Sequence, residues 1–142
     1  MMEIVLDTNV LVSGLIKAFG PPGRIIDVVR AGEVSLCVDD RILQEYAEVL
    51  RRPELSPWIH QPDRDAILDY IAGYSHRVVA TVLVEDFPDP GDSLFLEVAL
   101  AVDVPLVTGN IKHFPAALCR GAAVLPPADF VKTIGAAESW RR

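Results

Sequence analysis

The chain has 142 residues, 51% of them hydrophobic and 23% charged. It is too short for two cores and too apolar to stay disordered. A net charge of −7, from 20 acids and 13 bases, excludes a domain that grips nucleic acid by bulk charge, yet leaves room for an enzyme whose acids gather around cations.

In chain order, strand-like and helix-like segments alternate. Glu3–Leu6 is a β-rich apolar run that ends at Asp7. The next stretch, 9–18, places Val10, Leu11, Leu15 and Ile16 at helical spacing, with Thr8 or Asn9 positioned to cap it. Gly20-Pro21-Pro22-Gly23 is expected to break that helix, and Ile25, Ile26, Val28 and Val29 predict a second one stopped at Gly32. Val34–Val38 reads as a strand. Asp39 or Asp40 then caps a helix with Ile42, Leu43, Tyr46, Val49 and Leu50 on one face. A helix over 63–74 follows Pro62, and the β-branched stretch 77–84 predicts a third strand. After the loop 87–91, Asp92 opens a helix with Leu94, Phe95, Val98, Ala99 and Val102 on its apolar side. Short strands over 105–108 and 122–125 and a last helix from Pro127 complete the pattern.

These elements predict an α/β fold of one domain, residues 1–135, with a frayed tail over 136–142. No apolar run approaches the roughly 20 residues that cross a bilayer. The opening residues lack a basic region before their apolar run, so a cytoplasmic protein without membrane attachment is expected. Cys37 and Cys119 have no C-x-x-C spacing and read as two reduced, packed thiols. His60 and His76 show no ligand spacing with each other.

In parallel sheets, ligands bind at the carboxyl ends of the strands. Asp7, Asp92 and Asn110 follow or face such ends, and Glu45 lies about one turn into the helix after the second strand. Two bare carboxylates 4–5 Å apart repel by roughly 3–4 kcal/mol at an effective dielectric near 20. A cluster of this kind persists when protonated or when it holds a cation. Oxygen-only ligands favour Mg²⁺ or Mn²⁺, which can bind a phosphate oxygen and activate a water. A plainer reading is equally available: Asp92 and Asp39 or Asp40 are good helix caps, and Glu45 is a solvated helix acid.

Four stretches resemble the PIN-domain ribonucleases, in particular the VapC-like group assigned as toxins of toxin–antitoxin systems. They are Asp7-Thr8-Asn9-Val10-Leu11-Val12-Ser13; Ile42-Leu43-Gln44-Glu45-Tyr46 with Val49-Leu50-Arg51-Arg52-Pro53; Pro88-Asp89-Pro90-Gly91-Asp92-Ser93-Leu94-Phe95; and Leu106-Val107-Thr108-Gly109-Asn110-Ile111-Lys112-His113-Phe114. Each alone is unspecific; the four in this order are not. The resemblance implies a three-layer α/β/α sandwich around a parallel sheet of about five strands. It implies a Mg²⁺- or Mn²⁺-dependent ribonuclease that leaves a 5′-phosphate and a 3′-hydroxyl. Asp7, Glu45 and Asp92 match the most constant acids, as catalytic metal ligands direct or through water. Asn9 and Ser13 or Thr108 match supporting polar positions.

The chain departs from the family at the fourth acid, where Asn110 and His113 stand in place of an Asp, and this should weaken a second metal. Asp89 either supplies the missing charge or caps its helix. His113 either contacts a phosphate or packs beside Phe114, and Lys112 is a further candidate for phosphate. The implied partners are RNA and a cognate antitoxin. The antitoxin would insert a segment near the acids or cover an apolar face of Val10, Leu11, Ile16, Ile25 and Ile26; the same face could serve a homodimer, and core burial explains it equally well. Two alternatives stay open. One is a catalytically weakened interaction module. The other is a haloacid-dehalogenase-like phosphatase with Asp7 as nucleophile, although that class usually carries a second Asp where this chain has Asn9.

Overall fold

The structure is a computed structural model. It describes the backbone of residues 2–139 and the side chains of residues 2–135. Five strands, β1 (Met2–Leu6), β2 (Val34–Val38), β3 (His76–Arg77), β4 (Leu106–Val107) and β5 (Val124–Leu125), form a parallel sheet in the order β3-β2-β1-β4-β5. It is flanked by α1 (Thr8–Ile16), α2 (Pro21–Arg30), α3 (Asp40–Leu50), α4 (Gln61–Tyr74), α5 (Pro90–Val102) and α6 (Pro127–Ser139). This is the α/β sandwich that the alternation predicts.

β1 is the central strand, and its Ile4, Val5 and Leu6 are all buried. A strand covered on both faces needs a continuous apolar run, and this one has it. From β1 the chain builds outward through β2 to β3, then returns to the other side of β1 to lay down β4 and β5. The direction reverses between β1 and β4. Such a reversal leaves a crevice at the carboxyl ends of the two strands, because the loops that leave them diverge. Asp7 follows β1 and Thr108 follows β4, so both stand at that crevice.

Several element boundaries differ from the expectations, three of them with a clear physical reason. The Gly-Pro-Pro-Gly stretch does not separate two helices by itself, because α2 starts at Pro21. Proline fits the first helical positions, whose N–H groups lack intrahelical partners. Gly23 then lets α2 close on the end of α1; a Cβ there would lie 2.1 Å from the Ala18 carbonyl oxygen. The third strand is only His76–Arg77 rather than 77–84. Its partner β2 ends at Val38, where Asp39 turns the chain into α3, so a longer edge strand would find no ladder beyond the Val78 N–H bond to the Val38 carbonyl. Finally, α5 begins at Pro90, two residues before Asp92.

Val10, Leu11, Ile25 and Ile26 are buried within the chain, and Ile16 packs partly against the same core. The apolar face expected for an antitoxin or homodimer is therefore spent on the packing of α1 with α2. Burial of these side chains stabilises the fold by about 1.5–3 kcal/mol each. The tail beyond Ala136 is helical as far as Ser139; residues 140–142, with Trp140, lie outside the described residues. No helix among the described residues is long and apolar enough to cross a membrane.

Candidate active site

Asp7 occupies the N-cap position of α1, but its carboxylate makes no cap hydrogen bond. It turns toward β4 instead. Thr108 Oγ1 donates to Asp7 Oδ2 at 2.8 Å, and Asn9 Nδ2 donates to the same oxygen at 3.1 Å. Asn9 is held in turn by Gly109, whose N–H donates to Asn9 Oδ1 at 2.9 Å. Glycine suits that approach, since a Cβ at 109 would stand 3.1 Å from the same oxygen. The backbone N–H of Asn110 donates to Thr108 Oγ1 at 3.0 Å, which aims the threonine proton at Asp7. Thr108 is fully buried and Asp7 nearly so.

Glu45 arrives from α3. Tyr46, next to it, is buried, and its hydroxyl donates to the Leu6 carbonyl. This pins α3 to the end of β1 and brings Glu45 to the crevice, where Thr8 Oγ1 donates to Glu45 Oε2. Asp92 comes from the first turn of α5. The cap of that helix is Asp89, whose Oδ1 accepts the Gly91 N–H at 2.8 Å. Asp92 is thereby free of the capping role, and its Oδ2 lies 3.3 Å from His113 Nδ1. Asp39, by contrast, is a real cap, accepting the Ile42 N–H.

The electrostatics follow from this placement. Burial pushes the Asp7 carboxyl above its ordinary value and the charge of Glu45 adds to that, while the Thr108 hydrogen bond pulls it down. Burial also raises Asp92, with Asp7 and Asp89 adding to it and His113 opposing. Tyr46 is raised first by burial and then by Asp7 and Glu45. Three acids from three elements thus act on one another at one edge of the sheet. None of their described hydrogen bonds comes from an Arg or Lys.

The donor set is all oxygen, which suits Mg²⁺ or Mn²⁺. The ligand atoms of the acids do not all lie within 4.8 Å of one another.

The supporting residues divide. Asn9 and Thr108 touch Asp7. Ser13 is exposed on α1, and the described hydrogen bonds do not join it to the acids. Asp89 is near enough to raise Asp92 but is engaged as a cap. Asn110 contributes its backbone to Thr108. Lys112 and His113 lie exposed on the short turn 111–113 and line a cleft of about 280 Å³ with Pro88, Asp89 and Asp92. His113 pairs with Asp92, whereas Phe114 packs on Phe87 with ring centroids 5.6 Å apart.

Sequence reasoning misses Thr8 as the partner of Glu45. It also misses a second polar network on the same side. Arg41 bridges Asp39 (Nε–Oδ2 2.9 Å) and Glu97 (NH1–Oε1 2.7 Å), while Glu97 Oε2 accepts the Val84 N–H at 2.9 Å. Glu97 is buried. A lone acid inside the apolar run 94–101 is the one sequence signal that could have found it. The network ties the irregular segment 78–89 to α5 and borders a cleft of about 600 Å³ at Arg41, Arg77 and 78–83.

Residues 3–112 match the family model of the PIN domain. The chain belongs to the PIN domain family. It is 28% identical over 112 residues to an uncharacterized protein of Methanocaldococcus jannaschii, an alignment covering 77% of this chain and 71% of that protein. Among solved structures it is similar to a chain of VapBC2 from Rickettsia felis, described as bound to a DNA fragment from their promoter. That similarity has a TM-score of 0.56 at 15% identity, and covers 88% of this chain and 98% of the other. At that identity it shows the shared PIN-type fold.

Proposed function

We propose that this PIN-domain protein is an endoribonuclease that hydrolyses phosphodiesters with Mg²⁺ or Mn²⁺ as cofactor. The observation that carries this reading is the approach of Glu45 and of Asp92 to the buried Asp7 at one edge of the sheet. The Asp7 carboxylate is buried and repelled by Glu45, and Asp92 is partly buried and repelled by Asp7. A fold gains nothing in stability from such an arrangement, and acids kept at a cost commonly mark a functional site.

Asp7, Glu45 and Asp92 would hold the ion, which when bound activates a water and offsets charge on the phosphate. Thr108 and Asn9 fix the rotamer of Asp7 through one of its carboxylate oxygens. Thr8 does the same for Glu45. His113 orients Asp92, and with Lys112 it gives the cleft two nitrogen donors for a phosphate group. Lys112 acts there as a point charge. Arg41 is committed to Asp39 and Glu97, so it shapes the rim rather than binding substrate.

The role of toxin in a toxin–antitoxin pair extends this reading, supported by the fold shared with VapBC2. An antitoxin would then approach the acid edge, since the face of α1 and α2 is packed within the chain. Asn110 favours the second reading, a weakened interaction module, because an amide replaces a charge there. The two separate on incubation with a mixed RNA pool and Mn²⁺. The nuclease yields fragments with 5′-phosphates, and chelator stops it. Folded protein that leaves the pool intact at every Mn²⁺ and Mg²⁺ concentration overturns the nuclease.

A further inference from the structure

A second set of ligand atoms converges away from the acid edge. Glu3 on β1 pairs in register with Ser35 on β2, and Cys37 on β2 pairs with His76 on β3. Alternate residues of a strand share a face, so Glu3, Cys37 and His76 project from one face of three adjacent strands. Cys37 Sγ lies 3.8 Å from His76 Nδ1, and His76 Nδ1 lies 2.8 Å from Glu3 Oε2. The ligand atoms of the three all fall within 4.8 Å of one another, as those of no other His, Cys, Asp and Glu trio do among the described residues. Glu3 is four residues before Asp7 on an extended strand, about 13 Å away, so this cluster is separate from the acids.

We propose that Glu3, Cys37 and His76 form a binding site for Zn²⁺. One sulfur, one imidazole nitrogen and one carboxylate oxygen are the donor types that zinc takes, with a fourth position left for water. In a tetrahedral site with Zn–S about 2.3 Å and Zn–N or Zn–O about 2.0–2.1 Å, neighbouring ligand atoms stand about 3.3–3.6 Å apart. The observed contacts need adjustments of about half an ångström. The side chains of Glu3 and His76 are 34% and 47% exposed, so both can swing that far and admit an ion, while the buried Cys37 forms the floor.

The charges match as well. The Glu3 carboxylate faces both the imidazole and the thiol. On binding, the thiol proton leaves to solvent and the imidazole proton moves to Nε2. The carboxylate and the thiolate then balance one Zn²⁺, and the ion clips the two-residue edge strand β3 to the centre of the sheet.

Co²⁺ is the probe, since a thiolate ligand gives it a charge-transfer absorption in the near ultraviolet. The expected result is that absorption at one equivalent of Co²⁺, its loss on adding one equivalent of Zn²⁺, and at least a tenfold weaker Zn²⁺ affinity in both Cys37→Ser and His76→Gln. Cys119→Ser and Asp7→Asn retain it, which places the metal here and not at the other cysteine or the acid edge. His76→Gln changes a half-exposed side chain and should fold as the wild type, checked by circular dichroism. Absence of the absorption in the folded wild type, its survival in folded Cys37→Ser, or a Zn²⁺ affinity of folded His76→Gln within tenfold of the wild type, overturns the proposal.

Discussion

Thr108→Val tests how the acid edge is held. The substitution keeps the shape of the buried side chain and removes the hydroxyl that donates to Asp7 Oδ2 at 2.8 Å. A hydrogen bond to a charged group contributes about 1.5–3 kcal/mol. Asn9 still donates to the same oxygen at 3.1 Å, and Asn110, an exposed residue, can turn its N–H to water, so the expected loss is about 2 kcal/mol at neutral pH.

The loss should depend on pH in a fixed sense. Asp7 sits above its ordinary value of 3.8 in the fold. A carboxyl raised in this way favours folding fully below its unfolded value, and that contribution is lost as the pH rises through the folded value. Thr108 is the leading influence holding Asp7 down, so valine raises it further. Urea unfolding of both proteins should give a gap of about 1 kcal/mol at acid pH, where a neutral carboxyl makes an ordinary hydrogen bond, widening to about 2 kcal/mol above neutrality. The acid limb of RNA cleavage should move to higher pH as well. A gap that stays constant across this range would refute the assignment of Thr108 as the donor that stabilises the Asp7 charge.

Glu97→Ala removes the buried acceptor of both Arg41 and the Val84 N–H. Breaking a buried pair costs about 3–5 kcal/mol, and because Arg41 is half exposed the expected value is the lower end, read by urea unfolding. Limited proteolysis should then cut faster within 78–89. Asn110→Asp adds the charge that the family resemblance implies at this position or at His113 and should tighten Mn²⁺ binding roughly tenfold, about 1.4 kcal/mol by calorimetry; unchanged affinity means that position 110 does not face the ion.

Much of this molecule is legible in its sequence because its signals are local. β1 announces itself as three consecutive buried apolar residues, and α3 as an apolar stripe behind an aspartate cap. The order of motifs brings Asp7, Glu45 and Asp92 forward as a set. What sequence cannot supply is which neighbour each polar group finds. A helix-start aspartate looks the same whether it caps or not. Asp89 takes the cap of α5, and Thr108, 101 residues from Asp7, takes the carboxylate that would have capped α1. The third strand is read too long because β-branched residues favour extended backbone, while strand length is set by a partner that stops at Val38. The Glu3–Cys37–His76 trio is invisible for the same reason: strand register brings it together across separations of 34 and 39 residues.

The central claim is that Asp7 and Asp92 are kept at a cost to the fold in order to hold a catalytic cation. Asp7→Asn and Asp92→Asn should each abolish Mn²⁺-dependent cleavage of a mixed RNA pool and weaken Mn²⁺ binding in calorimetry. Asp7→Asn should also raise stability in chelator by about 1 kcal/mol, as removal of a functional-site charge commonly does. The most direct measurement is that paired titration and cleavage assay on wild type and both variants. Joint loss of binding and cleavage, with the fold intact or firmer, is the predicted result. Cleavage that persists in folded Asp7→Asn, or Mn²⁺ binding that neither substitution changes, contradicts the account.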